Sequence, residues 1–97
     1  MPVLDLNATN LRQIDRYRPN HRAVSLFDLT LKGFLLELRP TGTGTWYYRY
    51  RDQGRRIRLL RLGRLGEMSV TQARQAARRF DALVKAGENP REALAPI

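Results

Sequence analysis

Ninety-seven residues carry 18 Lys+Arg against 9 Asp+Glu, a formal charge of +9 and a sequence pI near 11.2. That length holds one domain, or one domain with tails, and the absence of cysteine excludes disulfides and thiolate metal sites. No apolar run approaches the ~20 residues of a membrane span and no signal-peptide layout opens the chain, so a soluble, intracellular protein is expected.

A pI above ~9 is the electrostatic footprint of a nucleic-acid binder. A solvated basic surface, a membrane-surface protein and a ribosomal-type protein share that footprint. All the basic residues except Lys32 and Lys85 are arginine. The planar guanidinium grips phosphate, or the O6/N7 edge of guanine, with two hydrogen bonds. A GC-rich genome would also favour arginine codons, so the position of each arginine carries more weight than its type.

In chain order, Asn7 is placed to cap a short helix containing Leu11 and Ile14, which Pro19 would stop. Arg16 to Arg22 reads as an extended basic connector. Val24 to Leu31 is an apolar stretch, broken by Lys32-Gly33. Phe34 to Arg39 then alternates, with Phe34, Leu36 and Leu38 on one face and Leu35, Glu37 and Arg39 on the other. Pro40, Gly42 and Gly44 supply a turn. From Thr45 to Arg51 the alternation continues, with Trp46, Tyr48 and Tyr50 opposite Tyr47, Arg49 and Arg51. Asp52-Gln53-Gly54 is a hairpin signal, with Gly54 available for a positive φ. In the next run Ile57 and Leu59 are expected inward and Arg56 and Arg58 outward. The Leu59-Leu60 doublet before Arg61-Leu62 breaks the phase and predicts a bulge or the strand's end.

Ser69 to Ala86 is the clearest helix. Ser69 and Gln72 form a capping box, and Ala73, Ala76, Ala77, Phe80, Leu83 and Val84 make an apolar stripe. Arg74, Arg78, Asp81 and Lys85 are expected to face elsewhere, and Gly87 is placed to end the helix. Glu88 to Ile97, interrupted by Pro90 and Pro96, reads as a linker.

These faces predict an α+β fold. A three- to four-stranded antiparallel sheet is packed on one face by the C-terminal helix, after a short N-terminal helix. The division is 1–23 for the helix and connector, 24–87 for the sheet-plus-helix domain and 88–97 for the linker. The other sheet face would present Arg39, Tyr47, Arg49, Arg51, Arg56 and Arg58. Strand side chains of that kind reach base edges in the major groove while flanking arginines hold phosphates. RNA readers stack several exposed aromatics on splayed bases, and here only Tyr47 is expected outward. Glu37 is positioned to neutralise one arginine. Arg74, Arg78 and Arg79 fit a phosphate contact and an ordinary solvent face equally well. His21 reads as a solvated side chain.

The stretch from Phe27 to Phe80 resembles the N-terminal arm-type DNA-binding domain of phage and genomic-island integrases of the tyrosine recombinase family. The likeness rests on an ordered set: Asp28, Lys32-Gly33-Phe34, Pro40-x-Gly42, Trp46, Arg49-Tyr50-Arg51, Leu62-Gly63, Ser69 and Ala73-Arg74 followed by Ala76. With Leu6 to Ile14 similar to the opening helix of such domains, it covers about residues 6–90. The resemblance implies binding of arm-type sites by a small sheet entering the major groove, which carries a DNA role to Arg39, Tyr47, Arg49, Arg51, Arg56 and Arg58 by strand position. It implies double-stranded DNA as partner, alongside other integrase copies or accessory DNA-bending proteins, in the cytoplasm of a bacterial host.

Strand exchange in that family needs a tyrosine nucleophile with arginines and acid–base groups around it. Tyr17, Tyr47, Tyr48 and Tyr50 lack such a setting, and no Gly-rich phosphate loop, metal-ligand cluster or hydrolase triad is present. The chain is therefore expected to be a binding module without cofactor or catalytic domain, its linker leading toward core-binding and catalytic regions. Two alternatives stay open: a structured-RNA-binding protein of ribosomal or translational type, and a basic protein–protein interaction module.

Overall fold

A computed structural model of the protein describes residues 3–4, 6 and 22–88. The helix expected around Leu11, the connector before Arg22 and the linker from residue 89 onward lie outside the described residues.

Four antiparallel strands form a meander: β2 (Val24–Asp28), β3 (Phe34–Leu38), β4 (Gly44–Arg51) and β5 (Ile57–Arg64). A two-residue strand, β1 (Val3–Leu4), lies parallel to β2 at the other edge, so the spatial order is β1-β2-β3-β4-β5. One helix, α1 (Val70–Lys85), follows β5. The expected antiparallel sheet packed on one face by the C-terminal helix is the one observed, with β1 as an addition.

The alternation read in β3 and β4 is what the register requires. Phe34 pairs with Tyr48 and Leu36 with Trp46, while Leu26 of β2 pairs with Leu36. These side chains form one core with Tyr50, Leu60 and, from the helix, Val70, Ala73, Ala77 and Phe80. The Phe34 and Trp46 rings stack at 5.4 Å, and Tyr48 and Tyr50 at 5.8 Å. Burying each large side chain stabilises the fold by roughly 1.5–3 kcal/mol, and small alanines on the helix let it approach the rings. The indole N–H of Trp46 donates to the Met68 carbonyl at 3.1 Å, which fixes the loop leading into α1.

Both helix ends behave as their sequences predict. The Ser69 hydroxyl accepts from the Gln72 amide at 3.1 Å, and the Gln72 side chain accepts from the Ser69 amide at 3.0 Å. At the other end Gly87 adopts φ +82°, with Glu88 N–H donating to the Leu83 carbonyl and Gly87 N–H to that of Val84. This pair of bonds is the Schellman arrangement, which a left-handed residue makes possible.

Three expectations are corrected. The apolar stretch Val24 to Leu31 is strand only as far as Asp28. There the carboxylate turns the chain by accepting the amides of Thr30 at 3.3 Å and Leu31 at 2.7 Å, a local bond that competes with strand continuation. In the β4–β5 loop the positive φ belongs to Arg55 (+63°) and not to Gly54. The Arg55 amide donates to the Asp52 carbonyl and the Asp52 amide to that of Arg56, a turn followed by one left-handed residue.

The third correction concerns Arg74, expected on the outer side of the helix. It lies in a network at the helix N-terminal half. Its guanidinium bonds both carboxylate oxygens of Asp28, at 2.8 and 3.1 Å, and also reaches the Leu6 carbonyl. The Leu6 amide in turn donates to Asp28 at 2.9 Å, and the guanidinium stands 5.3 Å from the Phe34 ring centroid. The Asp28 side chain is 0% exposed. Burial alone would raise its pKa. The bonds from Arg74, Leu31 and Leu6 and the Arg74 charge outweigh that and hold the carboxyl below the usual carboxylate range.

Candidate nucleic-acid interface

The sheet side opposite α1 is defined by the pairs that flank the core pairs. Ser25 opposes Glu37 and Glu37 opposes Thr45. Phe27 opposes Leu35, Leu35 opposes Tyr47 and Tyr47 opposes Arg61. Arg49 opposes Leu59, Arg51 opposes Ile57 and Thr45 opposes Arg64. Partners in register share a sheet face, so this side carries Tyr47, Arg49, Arg51, Arg61 and Arg64. α1 contacts β4 and β5 from the other side.

β5 corrects the expected phase. Tyr48 pairs with Leu60 and Tyr50 with Arg58, so Leu60 enters the core while Ile57 and Leu59 turn to the outer side, 49% and 46% exposed. Arg58 consequently points to the helix side, where its Nε lies 2.9 Å from an Asp52 carboxylate oxygen. Arg56 sits in the turn before β5, its amide donating to Asp52 at 2.9 Å. The Arg56 amide and the Arg58 side chain together hold the Asp52 carboxyl below its usual range. Neither Arg56 nor Arg58 stands with Tyr47 and Arg49 as expected.

The predicted irregularity is present. Register shifts between Trp46 and Tyr47, because Tyr47 opposes Arg61 and Trp46 opposes Gly63. Leu62 is the extra residue, packed against the core. This bulge lets Arg61 and Arg64 both face outward though they are three residues apart. Arg61 and Arg64 were absent from the set expected on this face. The signal was the Leu59-Leu60 doublet, which allows two phases.

Each arginine on the outer side has a distinct setting. Arg39, just past β3, is 3.2 Å from Glu37 and donates to the Thr45 hydroxyl at 2.9 Å, so Glu37 neutralises it. Arg49 stands 5.9 Å from the Phe27 ring centroid, at the outer limit of a cation–π contact. Gly33 lets the backbones of β3 and β4 close beside it. The Arg49 amide donates to the Gly33 carbonyl at 2.8 Å, and a Cβ at Gly33 would stand 2.4 Å from the Arg49 carbonyl oxygen. Arg51, Arg61 and Arg64 have no acidic partner among the described residues. Leu35, flanked in register by Phe27 and Tyr47, is only 3% exposed, so this side is apolar along its middle row and cationic around it.

On the helix side the Tyr48 hydroxyl donates to Asp81 at 2.9 Å. Burial, then this carboxylate, pushes the Tyr48 phenol far above its usual range. A phenol so held is a poor nucleophile at neutral pH. Asp81 also pairs with Lys85 at 3.0 Å. Among the described residues no group of three His, Asp or Glu side chains is arranged to hold a metal ion, and no helix is long and apolar enough to cross a membrane.

The described residues define a small α+β module, a meander with α1 against one side. Residues 6–95 match the family of Arm DNA-binding domains. The chain belongs to that family, the arm-type DNA-binding domains of integrases, and the match spans nearly its whole length. A comparison with curated proteins found no match.

Proposed function

We propose that the chain recognises arm-type sites for a tyrosine recombinase by setting the outer side of β4–β5 into the major groove of duplex DNA. Strand exchange would be carried out by core-binding and catalytic regions outside this sequence, with residues 88–97 as the linker toward them. Other recombinase copies and DNA-bending proteins would share the same DNA, in a bacterial cytoplasm.

The observation that carries this reading is the register of β4 on β5, which gathers Tyr47, Arg49, Arg51, Arg61 and Arg64 on one side. The shape of the hairpin also supports it. β4 and β5 are eight residues each and β3 is five. Beyond Arg49 the sheet is therefore a two-stranded ribbon. Strands lie ~4.8 Å apart, so such a ribbon with side chains suits a groove ~12 Å wide. Arg51, Arg61 and Arg64 supply charge with no acidic partner among the described residues, and Arg49 lies beside Phe27. Arg39 is discounted by Glu37. Arg56 leaves the central set for a flanking phosphate, and Arg58, paired with Asp52, is discounted as Arg39 is.

The test is a titration of fluorescent duplex DNA at several salt concentrations. Log affinity should fall with log salt at about −0.9 per phosphate neutralised. Arg61→Ala and Arg64→Ala should each weaken binding and reduce that slope by about one contact, with stability within roughly 0.5 kcal/mol of the parent. Arg58→Ala should bind nearly as the parent does. Unchanged affinity in both Arg61→Ala and Arg64→Ala, or tighter binding of structured RNA at equal salt, would overturn the reading.

A further inference from the structure

The apolar residues exposed on the β4–β5 ribbon are not spare core. β5 delivers Leu60 to the core and packs Leu62 against it, yet leaves Ile57 and Leu59 outward and about half exposed. Single exposed aliphatics need no explanation. Here two successive outward positions of one strand are aliphatic, and each opposes an arginine: Ile57 faces Arg51, and Leu59 faces Arg49. On a solvated sheet face such positions ordinarily alternate to polar residues. The ribbon instead presents a guanidinium and an aliphatic side chain next to each other, twice.

A major groove offers complementary chemistry. Guanine presents two acceptors that suit arginine, and thymine presents a C5-methyl group, the one apolar group on a base edge. Charge selects DNA over a second copy of this chain, because two copies would bring +9 against +9. Resting on the docking proposed above, we infer that Ile57, with Leu59 beside it, is a specificity-determining contact to thymine methyl groups. Arg51 and Arg49 contribute the polar half of the same readout. The sequence preference of this face is thus a thymine requirement as well as an attraction to guanine.

The experiment uses the whole chain. Duplexes are selected from a random pool, and each thymine of the winning sequence is replaced singly by deoxyuridine, which pairs alike but lacks the methyl group. Burial of one methyl corresponds to about fourfold in affinity. The parent should lose roughly three- to fivefold at one or two positions. Ile57→Ala should be indifferent to deoxyuridine at one of them, and Leu59→Ala at the neighbouring one. Both side chains are exposed, so both variants should melt with the parent. A parent insensitive at every thymine, or variants that keep the full sensitivity, would overturn the inference while leaving duplex binding intact. A pool that yields no preferred duplex would take the docking proposal down with it. Variants that bind every duplex as the parent does but lose self-association would assign the patch to protein contact, and would also overturn it.

Discussion

Replacing Asp28 by asparagine keeps the shape of the side chain and should nevertheless unfold much of the protein's stability margin. The carboxylate accepts from the amides of Leu6, Thr30 and Leu31 and from two nitrogens of Arg74. An asparagine oxygen could serve Leu6 and one Arg74 nitrogen. Its NH2 group would then face the amides of Thr30 and Leu31 and the second Arg74 nitrogen, donor against donor. Arg74, with a side chain only 19% exposed, would also lose its counter-charge. Removing one partner of a buried pair costs about 3–5 kcal/mol, a large part of the 5–15 kcal/mol typical of a domain. At ~4–8 °C per kcal/mol for a domain of this size, Asp28→Asn should melt at least ~12 °C below the parent. The pH dependence has a definite sign. The folded carboxyl lies below its unfolded value, so its contribution is complete above about pH 4 and is lost as pH falls through the folded value. The stability gap between parent and variant, read by urea denaturation followed by circular dichroism, should be flat from about pH 5 to 8 and close in acid. A variant within ~0.5 kcal/mol of the parent at pH 7, or a gap that widens in acid, would refute this account of the network.

Two backbone positions give predictions of opposite sign. Gly33→Ala puts a Cβ 2.4 Å from the Arg49 carbonyl oxygen at a residue with φ +94°. It should lose about 2 kcal/mol or more in chemical denaturation and shift the amide resonances of Arg49 and Tyr48. Arg55→Gly relieves a left-handed arginine at φ +63°, and should gain about 1 kcal/mol in the same assay with the hairpin register unchanged.

Much of the architecture was legible because β3, β4 and α1 each state one period without competition. Phe34-Leu35-Leu36-Glu37-Leu38 and Trp46-Tyr47-Tyr48-Arg49-Tyr50 allow one inward face each, and Ser69 with Gln72 marks where the helix begins. β5 was not legible in the same way. Ile57-Arg58-Leu59-Leu60-Arg61-Leu62 can place either Leu59 or Leu60 inward, and the choice is made by the hairpin loop, whose left-handed residue is Arg55 and not Gly54. Loop geometry sets register, and a one-residue change of register exchanges the faces. This is why Arg58 was expected outward and Arg61 and Arg64 were passed over. The Asp28–Arg74 pair shows a different limit. Both residues belong to the motif set that resembles integrase arm domains, so their positions were marked, but a contact across 46 residues of chain leaves no periodic trace.

The bulge at Leu62 has one further consequence, for spacing. Along an unbroken strand, neighbours on a common side recur every second residue, at intervals of ~7 or ~14 Å. The additional residue between Arg61 and Arg64 is absorbed without lengthening that interval, since they oppose Tyr47 and Thr45, two residues apart. The two arginines stay one ~7 Å step from each other, about two rungs of a DNA ladder at ~3.4 Å each. Deleting Leu62 would leave Arg61 and Arg64 on one side of a regular strand, so what the insertion adds is a side chain packed toward the core between two outward cations.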